Sequence, residues 1–135
     1  LGLHVLGVDV AETALSIARE KAAGRGIDAD FVRADALHLD RLGRVFETVL
    51  DCGLFHTFDS DERRDYVAGL ASVTSRGGHL YVLCFSDVGP DPSGPHPVSQ
   101  EELSAPFKPS GGWSVASVSP DRIQTRFDAR GRPSY

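Results

Sequence analysis

Hydrophobic residues follow two different spacings along the first two thirds of the chain. Short apolar, β-branched runs predict strands over His4–Asp9, Asp30–Ala34, Thr48–Cys52 and His79–Phe85. Between these runs the apolar positions recur at helical spacing, which predicts helices over about Glu12–Ala23 and Ser60–Thr74. A polar stretch, Leu39–Arg44, crosses between the second and third strands. The order of elements is therefore strand, helix, strand, crossover, strand, helix, strand.

The ends of the helices carry their own signals. The first helix has an apolar face formed by Leu15, Ala18 and Ala22, and the second has one formed by Tyr66, Leu70 and Val73. Asp59 and Glu62 have the spacing of a capping box at the start of the second helix, whereas Ala11 offers no capping side chain to the first. Gly24 and Gly26 are predicted to end the first helix, and Gly77-Gly78 the second.

The composition changes after Phe85. Ser86–Pro97 contains four prolines and two glycines, which predicts a loop. Ser99 and Glu102 form a second capping-box pattern, so a short helix is expected over about Gln100–Ala105. Trp113–Val118 and Arg122–Phe127 alternate like strands, and "GRPSY" resembles the start of a last strand.

Strands that alternate with helices predict an α/β fold with a parallel, buried sheet. In such sheets ligands bind outside the carboxyl ends of the strands. Asp9, Asp35 and the turn Asp51-Cys52-Gly53 end three of the predicted strands, so they are candidates for that edge.

Charge and composition narrow the possible partners. The net charge is −5 with no basic run, which argues against nucleic acid as the main partner. No apolar run approaches the ~18 residues of a membrane span, and no signal peptide is visible, so we expect a cytoplasmic protein. Cys52 and Cys84 lie in strand-like runs and are expected to be buried free thiols. The chain contains no methionine, which suggests a fragment of a longer protein.

The strand-end acids suit a nucleoside. In dinucleotide-binding folds an acid after the second strand accepts hydrogen bonds from ribose hydroxyls, and a carboxylate has two oxygens for two adjacent hydroxyls. Asp9 fits that role, and Asp35 follows the next strand, where it would meet an adenine amino group. The alternatives are that Asp9 only complements the dipole of the following helix and that Asp35 only caps a turn.

This constellation resembles the class I S-adenosylmethionine-dependent methyltransferases. "GVDVAETALSIARE" resembles the second-strand motif of that family, "FVRADALHL" the third-strand motif, "FETVLDCGLFHTF" the fourth, and "LASVTSRGGHLYVLCF" the fifth strand with its preceding helix. The short crossover and "GLFHTF" look most like small-molecule methyltransferases of the thiopurine and tellurite-resistance type.

The resemblance implies S-adenosylmethionine as cofactor and a role for each motif residue. Asp9 and Val10 would lie at the ribose, Asp35 and Ala36 at the adenine, and Asp51, Cys52 and Gly53 at the methionine end. The methyl acceptor would be a small molecule. His56 is a candidate general base, with a structural role as the alternative. Phe55 and His96 are candidate substrate contacts, and the loop at residues 86–97 a candidate lid.

The resemblance also implies a Rossmann-like sheet with the strand order 3-2-1-4-5-7-6. The chain begins at the second strand of that order, so strand 1 and its glycine-rich loop are expected to be missing, and strand 7 is expected to be cut. Residues 1–135 would then form a single, incomplete methyltransferase domain. The strand edges exposed by the loss of strand 1 could support a homo-oligomer.

Two other functions compete with methyl transfer. A nicotinamide-dependent oxidoreductase shares the second-strand acid, but it explains Asp35 and "DCGLFHTF" less well. The chain could also be a non-catalytic scaffold that binds partners through its exposed strand edges.

Overall fold

The computed structural model describes residues 2–88, 96–125 and 128–135. The chain begins with a parallel strand pair, β1 (Val5–Asp9) and β2 (Ala29–Arg33), joined by helix α1 (Glu12–Gly24). Gly7 lies opposite Phe31, and a Cβ atom at this glycine would lie 2.6 Å from the phenylalanine ring. Glycine is therefore required where the ring covers the strand. Leu15 is the buried residue of α1, on the predicted apolar face.

The crossover after β2 is a 3-10 segment, Ala36–Leu42, which ends at Gly43 in a left-handed conformation. This segment packs against the second long helix. The backbone oxygen of Ala36 and the Cβ of Leu39 each lie 3.6 Å from where a Cβ on Gly69 would be. These are ordinary contact distances for a Cβ atom, so α2 lies directly against the 3-10 segment, which ties the first strand pair to the second half of the domain.

A second parallel pair follows, formed by β3 (Phe46–Cys52) and β4 (Thr74–Leu83). Helix α2 (Ser60–Val73) connects them, and its predicted capping box between Asp59 and Glu62 is present.

The prediction that Gly77-Gly78 ends this helix is wrong. Val73 and Thr74 are β-branched, and the backbone turns extended at Thr74, so β4 begins there. The glycines instead lie within β4, in an irregular stretch. There the register with β3 shifts: Phe46 pairs with Thr74, but Thr48 pairs with His79. A Cβ on Gly78 would lie 2.8 Å from the Glu47 oxygen.

The last part of the chain contains α3 (Gln100–Ser104) and the antiparallel strands β5 (Asp121–Thr125) and β6 (Asp128–Ser134). The strand predicted over Trp113–Val118 is wrong: this segment is irregular. It has no strand to pair with in the described chain, and the Trp113 amide donates to the Lys108 carbonyl within its own turn. Arg126 and Phe127, in the other predicted strand, lie outside the described residues.

The final strand is longer than the sequence suggests. The sequence predicts only the start of a last strand, whereas β6 has seven residues. Beyond it Tyr135 exchanges two backbone hydrogen bonds with Cys84, at 2.9 and 3.0 Å. Ser134 forms an antiparallel bridge with Phe85 just after β4. The end of β6 therefore lies beside the end of β4.

Most of the Ser86–Pro97 segment, residues 89–95, lies outside the described residues. Its ends are held together, because Val98 and Phe85 are joined by a backbone hydrogen bond and Val98 is fully buried. The core lies around α2 and comprises Leu39, Phe55, Tyr66, Val67, Leu70, Val73, Cys84, Val98 and Leu103.

Within the described residues the six strands form three separate two-stranded sheets, β1-β2, β3-β4 and β5-β6. Apolar side chains of β1 and β3 are solvent-exposed, among them Val5 (49%) and Leu50 (73%). Parallel strands in α/β folds are normally buried on both faces. No helix in the described part of the chain is long and apolar enough to cross a membrane.

Candidate cofactor site

Asp9 and Asp35 meet at one edge of the first strand pair, as the parallel arrangement predicts. Asp9 is paired with Arg33 in the register of the two strands, and the Ala34 amide donates to the Asp9 carbonyl. Asp35 follows directly. Both carboxylates are exposed at the carboxyl ends of their strands, which is the edge where α/β sheets bind ligands.

Each of these two carboxylates uses one oxygen to start the next segment. Asp9 Oδ1 accepts a hydrogen bond from the Ala11 amide at 2.8 Å, which compensates for the lack of a capping side chain on Ala11. Asp35 Oδ1 accepts from the Leu37 amide at 2.9 Å and caps the 3-10 segment. Within the described part of the chain, Oδ2 of each residue accepts no hydrogen bond from the protein. Capping and ligand binding are thus compatible at both positions.

Val10 and Ala36, which follow Asp9 and Asp35 in the sequence, differ in exposure. Val10 is 61% exposed, and its carbonyl accepts from Arg33 Nε at 3.1 Å, which links the ends of β1 and β2. Ala36 is half-buried because it packs against α2 near Gly69.

Asp51, at the end of β3, is in a different environment. It is 5% exposed, and both oxygens accept hydrogen bonds from the protein: Oδ1 from the Leu54 amide at 2.8 Å, Oδ2 from the Phe55 amide at 2.9 Å and from the Tyr66 hydroxyl at 3.2 Å. Burial raises the pKa of Asp51 above its usual value, although these hydrogen bonds oppose the shift. The carboxylate shapes the turn after β3.

The rest of that turn is set by glycine. Gly53 has φ +94°, a conformation that side chains disfavour, and its amide donates to the Leu83 carbonyl at 2.9 Å. Cys52 is exposed, so the expectation that it is buried is wrong. Successive side chains of a strand point to opposite faces, and Asp51 takes the inner face. Cys84 is fully buried, and burial raises its pKa to about 11, so it remains a thiol.

His56 is 4% exposed and lies just after the turn. Its Nδ1 accepts a hydrogen bond from the Phe85 amide at 3.3 Å, which places the proton of the neutral ring on Nε2. Burial lowers the pKa of His56, and the positive charges of Arg63 and His96 add to the effect. Because neither nitrogen of this tautomer is a free acceptor, the geometry favours a structural role for His56.

The two predicted substrate contacts lie in opposite settings. Phe55 is fully buried, with its ring stacked on Phe107 at a centroid distance of 6.0 Å, so it is not accessible to a substrate in this structure. Its position follows from the turn, which directs the side chain into the core. His96 is exposed, has a strained φ of +43° and lies near enough to His56 to influence its pKa.

The sequence missed two residues that matter around this edge. Tyr66 was predicted only as part of an apolar face, yet its hydroxyl contacts Asp51. Arg63 is 8% exposed although it carries a charge, and its guanidinium lies 5.2 Å from the centre of the Phe55 ring. Arg63 lies one helical turn before Tyr66 and Val67, on the same face of α2, and this spacing could have predicted its burial.

Known proteins resemble this chain in sequence and in fold. A family model described as a methyltransferase domain matches residues 1–78. The chain is 33% identical over 130 residues to a 2-heptyl-1-hydroxyquinolin-4(1H)-one methyltransferase of Mycobacteroides abscessus, covering 94% of this chain and 56% of that protein. The chain therefore spans little more than half the length of this relative.

Two solved structures extend the comparison. One was described in work on conversion of a disulfide bond into a thioacetal group during echinomycin biosynthesis; it is 32% identical, with a TM-score of 0.77 over 90% of this chain and 57% of that one. The other is a SAM-dependent methyltransferase of Methanosarcina mazei, 16% identical, with a TM-score of 0.79 over 98% of this chain and 79% of that one. This chain belongs to the class I S-adenosylmethionine-dependent methyltransferases, whose fold is Rossmann-like.

Proposed function

We propose that the protein transfers a methyl group from S-adenosylmethionine to a small-molecule acceptor. The observation that carries the proposal is the pair of exposed carboxylates, Asp9 and Asp35, at the ends of adjacent parallel strands, each with one oxygen that no described residue uses. A free carboxylate oxygen is the acceptor that ribose hydroxyls and an adenine amino group require.

The residues present fit this cofactor. Asp9, with the exposed Val10 beside it, would hold the ribose, and Asp35 with Ala36 would hold the adenine. Gly53 and Cys52 remain candidates at the methionine end, because Cys52 is exposed and Gly53 lacks a side chain. When bound, the cofactor supplies an electrophilic methyl group on a sulfonium centre. Asp51 acts as a positioning residue, since its oxygens already hold the Leu54 and Phe55 amides and Tyr66.

The chain's own residues mainly align the acceptor and exclude water. His56 holds the Phe85 backbone at the end of β4 and is not placed to accept a proton. An acceptor that reacts without a strong base, such as a thiol, suits this arrangement. His96 and the segment around it remain the candidate substrate side of the site.

The strand pairs support the family order. In our assignment β2-β1, β3-β4 and β6-β5 correspond to 3-2, 4-5 and 7-6 of the order 3-2-1-4-5-7-6. The hydrogen bonds between Cys84 and Tyr135 support the 5-7 neighbourhood. The exposed Val5 and Leu50 are consistent with a further strand between β1 and β3.

The test is calorimetric titration of the chain with S-adenosylmethionine and, separately, with NAD. We expect micromolar binding of S-adenosylmethionine and at least about tenfold weaker binding of NAD, a difference of about 1.4 kcal/mol. Tighter binding of NAD would favour the oxidoreductase alternative. Binding of neither ligand by a folded chain would favour the non-catalytic scaffold.

A further inference from the structure

A cavity lies between α2 and the segment at residues 102–113. Its volume is about 470 Å³, which is in the range of small-molecule sites. Its walls include the apolar residues Val67, Ala105 and Trp113 and the charged residue Arg63. None of the residues assigned to the cofactor lines this cavity, so it is separate from the site described above.

Arg63 brings a buried positive charge to this cavity, where it lies over the Phe55 ring and interacts at longer range with the Glu102 carboxylate. The side chain is 8% exposed, and its Nε donates one long hydrogen bond, 3.4 Å, to the Phe55 carbonyl. Within the described residues no carboxylate lies within the 4.0 Å of an ion pair. A buried charge that has no carboxylate at ion-pair distance is costly. The guanidinium is therefore suited to an anion from outside the protein.

Trp113 contributes a second unsatisfied donor to the same cavity. Its indole Nε1 is buried, and no described residue accepts a hydrogen bond from it. An indole nitrogen only donates, so an acceptor has to come from a ligand or from water. The ring itself packs edge-on against Phe107, at a centroid distance of 5.6 Å, which fixes its orientation.

Three further charged side chains line the cavity. Arg64 is engaged with Asp61 at 2.7 Å, and Lys108 is exposed and adds positive charge. Glu102 is the acid on the wall, but its Oε2 is held by the amide and hydroxyl of Ser99, both at 2.9 Å. The cavity thus presents donors and three cationic side chains beside one carboxylate, that of Glu102, together with the apolar residues named above.

We propose that this cavity binds a small organic anion, a carboxylate carried on an apolar or aromatic body. The carboxylate would accept from the Arg63 guanidinium and the Trp113 indole, and the body would lie against Val67 and Ala105. Charge-assisted hydrogen bonds to a guanidinium are the strong ones, so the charge of the ligand should dominate its affinity. This proposal does not depend on the cofactor assignment.

The experiment uses benzoate as the probe and neutral benzamide as its isostere. Trp113 is the only tryptophan in the chain, so its fluorescence reports the cavity directly. The full chain is titrated at constant ionic strength. We expect a saturable change with benzoate and at least about tenfold weaker binding of benzamide. Equal binding of the two probes, or no saturable change with benzoate, would overturn the proposal without any variant.

Variants then test which charge is responsible. Arg63→Met is expected to weaken benzoate binding at least about tenfold, and Arg63→Lys to weaken it less. Arg44→Met is the matched control, because Arg44 also lies over a phenylalanine ring, 5.4 Å from the centre of Phe46, but does not line the cavity. Unchanged affinity in folded Arg63→Met, or an equal loss in Arg44→Met, would contradict the assignment to this cavity.

Discussion

Three aspartates lie at the carboxyl ends of β1, β2 and β3, and the protein uses them in two different ways. Asp9 and Asp35 are exposed, and each has one oxygen that accepts no hydrogen bond from the described residues, whereas Asp51 is buried with both oxygens bonded to the protein. The difference lies in the segment after each strand. One amide of the following segment donates to each of Asp9 and Asp35, whereas the turn at Gly53, which leads into a 3-10 turn at Phe55–Thr57, brings two amides back onto Asp51. Position at a strand end therefore does not by itself make an acid a ligand.

The largest effect should come from removing the buried acid. Asp51→Ala leaves two backbone amides and the Tyr66 hydroxyl without their acceptor, so we expect a loss of about 3 kcal/mol in the free energy of unfolding. Asp9→Ala and Asp35→Ala should each lose about 1 kcal/mol or less, as caps do. Urea unfolding followed by circular dichroism measures all three. Equal losses at Asp51 and Asp9 would remove the distinction between them.

The turn that encloses Asp51 should also be sensitive. Gly53→Ala places a side chain at φ +94°, and we expect a cost of about 1 to 2 kcal/mol in unfolding free energy. A Cβ there would be 3.5 Å from His56, an ordinary contact, so the cost comes from the backbone. Gly24→Ala is the control, since a Cβ there meets nothing within 4 Å. If both variants unfold alike, the backbone of Gly53 is not what shapes the turn.

A smaller effect should appear in the pH dependence of stability. Burial, with help from Arg63 and His96, holds the pKa of His56 below 6.5 in the folded state. The unfolded state then binds the proton more readily, so this contribution is present above pH 6.5 and is lost as pH falls through the lowered pKa. His56→Gln keeps an acceptor but does not titrate. Its unfolding free energy should fall less steeply below pH 6.5 than that of the unmodified chain; parallel curves would count against a buried, neutral His56.

Sequence reasoning succeeded where local periodicity controls the structure. The faces of both long helices, both capping boxes and the meeting of Asp9 with Asp35 follow from spacing and from parallel-strand geometry. It failed where the burial of a side chain depends on a contact with a residue far from it in sequence. The burial of Asp51 depends on Tyr66, 15 residues away, and that of Arg63 on Phe55. Trp113–Val118 alternates like a strand, but it is irregular because no described strand pairs with it.

The most direct test of the account is the affinity of single aspartate variants for S-adenosylmethionine, measured by calorimetry. Asp9→Ala and Asp35→Ala should each bind at least about tenfold more weakly than the unmodified chain, the loss expected when a hydrogen bond to a charged group is removed. Asp40→Ala, an exposed acid in the 3-10 segment after Asp35, should bind within about twofold. Unchanged affinity in Asp9→Ala and Asp35→Ala would contradict the assignment of the exposed strand-end carboxylates to the cofactor.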